Sequence, residues 1–223
     1  MFSTVANEAS WRDRALERSL EPARARSVER LERLVDAARV LANETGSAGF
    51  TVAQVTARAG LSLKSFYRCF AGKDDLLVAL LEEDSRLGAA ILGDAVQRND
   101  DPESRLRAYV TGVFKLLTHP GALGYAGVLV REHRRLSEAR PDELKRALAP
   151  MIAVLETEIA AASIERAECD PTREARMVFA LVLEGIHDVT LGHAEPLEEA
   201  DALWAFCWAG LSRLFVEPGV ESR

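Results

Sequence analysis

From Ser27 onward the apolar residues of this 223-residue chain return every three or four positions, and no strand-like alternation interrupts them. That period gathers apolar side chains on one side of a helix, so the chain is restricted to packed helices. Leu31, Leu34, Val35, Ala38 and Leu41 form the first stripe, with Ser27 as a candidate N-cap and Glu29, Arg30, Glu32 and Arg33 facing elsewhere. Further on, Pro102, Pro120, Pro141, Pro171 and Pro196 divide the sequence, each where it can open a helix at its first turn. The expectation is an all-α fold of about nine helices, an N-terminal helix-turn-helix domain followed by a larger helical body.

Residues 1–27 show no sustained period, and Pro22 is expected to interrupt a short helix over Trp11–Leu20. This stretch is read as an extension, residues 28–73 as the helix-turn-helix domain, and residues 74–223 as a larger helical body.

The most informative segment is Thr51–Phe70. Thr51 is placed to cap a short helix, with Gln54 three residues later completing a capping box. Gly60 suits the left-handed conformation of a tight helix end, and Ser62 offers a cap to a third helix from about Leu63 to Phe70. Val55, Leu61 and Phe66 point inward, leaving Lys64, Ser65, Tyr67 and Arg68 outward. Two short helices around a glycine turn form the unit that sets a recognition helix into a major groove. Lys and Arg reach guanine edges or phosphates, and Ser and Tyr hydroxyls bond phosphate oxygens. Thr51 and Lys73 open helices, where a phosphate meets free backbone N–H groups.

A net charge of −7 argues against nucleic acid only if it is spread evenly. It is not: residues 51–73 hold four basic residues and no acidic one, so that window carries +4 and the remainder −11. Arg12, Arg14, Arg18, Arg24 and Arg26 in the extension suggest a minor-groove arm centred on Arg24 and Arg26, or else a solvated tail whose charge Asp13, Glu17 and Glu21 partly cancel.

The stretch from Phe50 through Leu77 resembles the DNA-binding head of the tetracycline-repressor (TetR/AcrR-type) family of transcriptional regulators. The matching features are Thr51-Val52, Ala59-Gly60-Leu61-Ser62, Phe66-Tyr67-Arg68, and Phe70 three residues before Lys73. The resemblance implies phosphate contacts by Thr51, Ser65, Tyr67 and Lys73, with Lys64 and Arg68 at or near the bases. It also implies a homodimer on a palindromic double-stranded DNA operator, most often as a repressor, paired through the last two long helices. Those helices are apolar over much of their circumference: Met177, Phe179, Leu181, Leu183, Ile186 and then Trp204, Phe206, Trp208, Leu211, Leu214 and Phe215. Phe179, Leu183, Ile186, His187, Trp204, Trp208 and Leu211 are the candidate interface residues. Trp204 and Trp208 also suit a plain core.

A small, mostly apolar effector is expected in the middle of the body. Tyr109, Val113, Phe114 and Leu117 would face Leu123, Tyr125 and Val128 there, with Gly121, Gly124 and Gly127 leaving room. No Ser/His/Asp, paired-carboxylate or phosphate-loop arrangement suggests an enzyme, and no cofactor is expected. Glu184 and His187 have the spacing of a di-iron bundle motif, but it occurs once where two are needed, which leaves a metal-dependent or ligand-carrying helical protein as the rival reading. Cys69, Cys169 and Cys207 are scattered and read as reduced thiols, Cys69 as a packing residue or a redox-sensitive one. Apolar runs are too short for a membrane span, and the N-terminus lacks the pattern of a secretory signal, so a cytoplasmic location is expected.

Overall fold

The computed structural model describes residues 10–162 and 169–212, and among them every regular element is a helix. In order these are α1 (Trp11–Thr45), α2 (Val52–Ala59), α3 (Leu63–Cys69), α4 (Lys73–Gln97), α5 (Pro102–Leu117), α6 (Ala122–Ala139), α7 (Pro141–Ala162), α8 (Pro171–Thr190) and α9 (Pro196–Leu211). Leu214 and Phe215 lie outside the described residues, as does the Arg14 side chain.

Pro102, Pro141, Pro171 and Pro196 each open their helix, because the N–H that proline lacks would have no intrahelical partner there. Asp101 and Asp170 cap two of these starts, accepting from the backbone N–H of Ser104 (2.8 Å) and Arg173 (3.1 Å). Pro120 differs: it stops one residue short of the Gly121 cap of α6, whose φ of 81° lies in the left-handed region.

The first helix also differs from expectation. It does not begin at Ser27 but runs unbroken from Trp11 through Pro22. Ser27 is therefore no N-cap: its hydroxyl donates back to the Ala23 carbonyl at 2.9 Å, as an interior helical serine does. A proline inside a helix costs one hydrogen bond, but Arg18 and Pro22 are both exposed, so water can take the place of the lost donor. Arg24 and Arg26 thus stand exposed on a helix continuous with the head and not on an irregular arm.

Two apolar cores share α4. Its first turns bury Leu76, Leu77, Val78, Leu80 and Leu81 against Leu34, Ala38, Phe50, Val55, Phe66 and Phe70 of the head, together with Val128, Leu136, Leu144 and Ala147 from α6 and α7. Its last turns bury Leu92 and Val96 in the body core with α5, α7, α8 and α9. Helices cross closely where glycine permits: a Cβ on Gly185 of α8 would lie 2.9 Å from Phe114 Cζ and 3.0 Å from Leu203 Cδ1.

Phe66 is fully buried, while Lys64, two residues away on the same short helix, is exposed. Phe66→Ala is expected to lower unfolding free energy by about 3–5 kcal/mol and Lys64→Ala to change it by less than about 0.5 kcal/mol, read from urea denaturation.

Candidate nucleic-acid interface

The head is assembled by local hydrogen bonds that its sequence dictates. Thr51 Oγ1 accepts from the Gln54 N–H at 3.2 Å, and Gln54 Oε1 accepts from the Thr51 N–H at 2.8 Å, the reciprocal capping box expected of this pair. At the other end of α2, Gly60 takes φ 63°, and the Leu61 N–H reaches the Thr56 carbonyl at 2.9 Å. Arg33 of α1, read from sequence as facing away, reaches across and donates its guanidinium to the Ala59 carbonyl, closing the turn from outside. Ser62 then caps α3, accepting from the Ser65 N–H at 3.1 Å.

Within α3 the burial of Phe66 sets every other orientation. Its ring meets Tyr67 edge-on at 5.3 Å and Phe70 at 5.7 Å between centroids. A helix turns about 100° per residue, so sinking Phe66 turns Lys64, Tyr67 and Arg68 to solvent. Tyr67 is 61% exposed, and no carboxylate among the described residues lies within ion-pair distance of Lys64 or Arg68. Ser65 is half-buried, its hydroxyl 3.0 Å from that of Ser62. Lys73 opens α4 with its ammonium 5.0 Å from the centre of the Phe50 ring, a cation–π contact that holds it beside the head. Thr51 is exposed at the start of α2.

Residues 34–80 match the family model described as bacterial regulatory proteins, tetR family. The chain carries the DNA-binding head of the TetR family. Solved structures of similar fold extend the likeness over the body. The FadR regulator of Bacillus subtilis, in complex with stearoyl-CoA, superposes with a TM-score of 0.66 at 17% identity, covering 80% of this chain and 98% of that one. Escherichia coli NemR in its reduced form gives 0.61 at 18% identity, covering 86% and 99%. A TetR-family regulator from Pectobacterium atrosepticum gives 0.60 at 23% identity, covering 87% and 98%. No curated protein matches the chain in sequence. The fold is that of a TetR-family DNA-binding transcriptional regulator, with Lys64, Tyr67 and Arg68 on the outward side of its recognition helix.

In the body the candidate effector residues are divided between the two cores. Tyr109, Val113, Phe114 and Leu117 are buried in the body core, and the Tyr109 hydroxyl donates to the Met151 carbonyl at 3.0 Å. Val128 and Tyr125 pack with the head-side core, and Leu123 is exposed. Of the candidate interface residues, Phe179, Ile186, Trp204 and Leu211 are buried within the protomer itself, and Leu183, His187 and Trp208 are half-buried. Trp204 and Trp208 stack at 5.3 Å. The large exposed apolar side chains on α8 and α9 are Met177, Leu181, Leu197 and Phe206, the last 70% exposed.

Glu184 forms an ion pair with Arg134, and no group of three metal-ligating side chains occurs among the described residues. Cys69 is half-buried beside the head core, and burial pushes the Cys207 thiol up to about 11. No single described helix is long and apolar enough to cross a membrane.

Sequence reading missed how α6 is fastened to the head. Tyr125 donates its hydroxyl to Asp84 of α4, whose other oxygen accepts from Arg39 Nε (3.1 Å) and Nη2 (3.0 Å) of α1. Arg131 donates to the Gly46 carbonyl at 2.7 Å, and Arg135 grips Asp74, next to Lys73, through two nitrogens at 2.6 and 3.1 Å. The only cue in sequence was an aspartate, Asp84, following the apolar run of α4. Burial holds the Asp84 carboxyl above the usual carboxylate range, against the opposing pull of Tyr125 and Arg39. A carboxyl raised in the folded state contributes stability that is full below its unfolded value and lost as pH rises through its folded value. Asp84→Asn should therefore improve relative to the parent protein as pH rises through that range. Urea unfolding at several pH values checks this, and the opposite trend would mean that Arg39 outweighs burial.

Proposed function

We propose that the protein is a homodimeric repressor that binds a palindromic DNA operator and is released from it by a small, mostly apolar effector. The carrying observation is the outward face of α3. In a chain of net charge −7, Lys64 and Arg68 stand exposed and unpaired among the described residues beside Tyr67, on the helix that TetR-type heads direct to DNA. On this reading Lys64 and Arg68 lie nearest the bases. Thr51, Ser65, Tyr67 and Lys73 bond phosphates, and Arg24 and Arg26 extend the positive surface along α1.

The dimer reading is supported by Met177, Leu181 and Phe206, which form an exposed apolar surface on the last two helices. Two heads on a two-fold operator must sit about 34 Å apart, one turn of DNA, so pairing through the body sets their spacing. Leu183, His187 and Trp208, half-buried at the margin of the core, complete that surface when a second copy covers it.

Effector response is supported by the ties between α6 and the head. A ligand wedged among Tyr109, Val113, Phe114, Leu117 and Leu123 displaces α6, and the contacts of Tyr125, Arg131 and Arg135 carry that displacement to α1 and α4. Release follows if the ligand binds the displaced state more tightly than the DNA-bound one. The Bacillus subtilis regulator of similar fold is in complex with stearoyl-CoA, a molecule whose acyl chain is apolar.

Fluorescence anisotropy with DNA from upstream of the gene tests the central claim. Binding that weakens steeply with salt is expected, and a folded dimer that binds no such DNA at low salt overturns it in favour of a helical ligand carrier. Tyr67→Ala combined with Lys73→Ala should weaken binding to all sequences and lower the salt slope by about one. Lys64→Ala and Arg68→Ala should each cost about 1–3 kcal/mol on the operator and less on unrelated DNA. Leu181→Glu with Phe206→Glu should give a monomer in sedimentation while circular dichroism retains its helical signal.

A further inference from the structure

The outer face of α5 carries a cleft that neither the DNA-binding head nor the apolar core explains. It encloses about 600 Å³ between the end of α4, the length of α5 and the start of α9. Its walls are apolar at Ala95, Ala108, Gly112, Leu197 and Ala200. Tyr109, Val110, Val113 and Phe114 occupy the opposite side of α5 and are buried, so the helix itself separates this cleft from the body core.

Three cations line it: Arg98 at the end of α4, and Arg107 and Lys115 two turns apart on α5. The one lining carboxylate is Asp201 of α9, 3.3 Å from Arg107. Arg98 and Lys115 have no carboxylate partner within 4 Å among the described residues, although acidic residues outnumber basic ones in the chain by 35 to 28. Other arginines of the body do meet carboxylates, Arg105 with Glu158, Arg134 with Glu184 and Arg140 with Glu143, while Arg131, Arg146 and Arg176 form no such pair among the described residues. Two unneutralised cations above an apolar wall suit a molecule with one anionic end and a hydrocarbon body. The volume lies within the roughly 300–1,000 Å³ of small-molecule sites.

We propose that this cleft binds a small amphipathic anion, its carboxylate or phosphate drawn to one of the two free cations, Arg98 or Lys115, that flank the cleft, and its apolar body laid on Ala108, Leu197 and Ala200. Arg107, already shared with Asp201, borders the anionic end. The site is separate from the effector residues between α5 and α6, and its occupation does not depend on DNA binding.

Isothermal titration of the full chain with decanoate, decyl phosphate, decanol and inorganic phosphate, without DNA, tests this. At least one decyl anion is expected to bind saturably, and the tighter of the two identifies the head group. Decanol and inorganic phosphate should bind at least about tenfold more weakly, because each lacks one half of the recognition. Arg98→Glu with Lys115→Glu, both at exposed positions, should weaken the anion by at least about tenfold. Lys64→Glu with Arg68→Glu on the head should leave it unchanged. In the unaltered protein, amide NMR shifts are expected at Ala95, Ala108, Thr111 and Ala200. The proposal is overturned if neither anion binds, if decanol binds as tightly, if the Arg98/Lys115 variant matches the parent, or if the shifts are confined to Val113 and Phe114.

Discussion

Burial of the Phe66 ring is the constraint from which the reading head follows. α3 is only Leu63–Cys69, too short to hold its shape by helix propensity, so its conformation rests on what it packs against. Phe66 enters the cluster of Leu34, Val55 and Leu76, Phe70 follows it one turn later, and the pitch of the helix then leaves Lys64, Tyr67 and Arg68 no direction but outward. Ser62 and Gly60 hold the start of the helix at the angle that makes this burial possible. The cationic face is therefore a consequence of an apolar contact made by a residue that is itself fully buried.

α4 makes the head and the body mechanically continuous. One helix contributes Leu76 through Leu81 to the head core and Leu92 and Val96 to the body core, so a tilt at one end is transmitted as a rigid lever to the other. α6 runs alongside and is fastened at three places, by Tyr125 to Asp84, Arg131 to Gly46 and Arg135 to Asp74. These are polar contacts, one of them built on a carboxyl whose protonation range burial raises. α6 is thus held to the head both by these polar ties and by Val128 and Leu136, which lie in the head-side core.

Much of the candidate interface was legible beforehand because it is local. The Thr51–Gln54 box, the left-handed Gly60 and the Ser62 cap each involve residues within three or four positions, where sequence dictates geometry almost directly. The prolines opening α5, α7, α8 and α9 were readable for the same reason. Reading failed at Pro22, where a local rule predicted a break that solvent exposure allows the helix to absorb, and at Arg33, whose partner carbonyl lies 26 residues away. Likewise Phe179, Ile186, Trp204 and Leu211 are alike in sequence to Met177 and Phe206, yet the former fill the protomer's own core and the latter face outward.

By itself the sequence determined the helical class, the caps of α2 and α3, the helix starts at proline, and the residue types on α3, because each follows from periodicity or from bonds a few residues long. Only the tertiary structure decided which apolar faces meet and how far each core reaches. It also decided which cations are neutralised by distant carboxylates and which, such as Arg98 and Lys115, are left free over a cleft. Such outcomes depend on contacts between segments dozens of residues apart, and neither period nor composition carries that information.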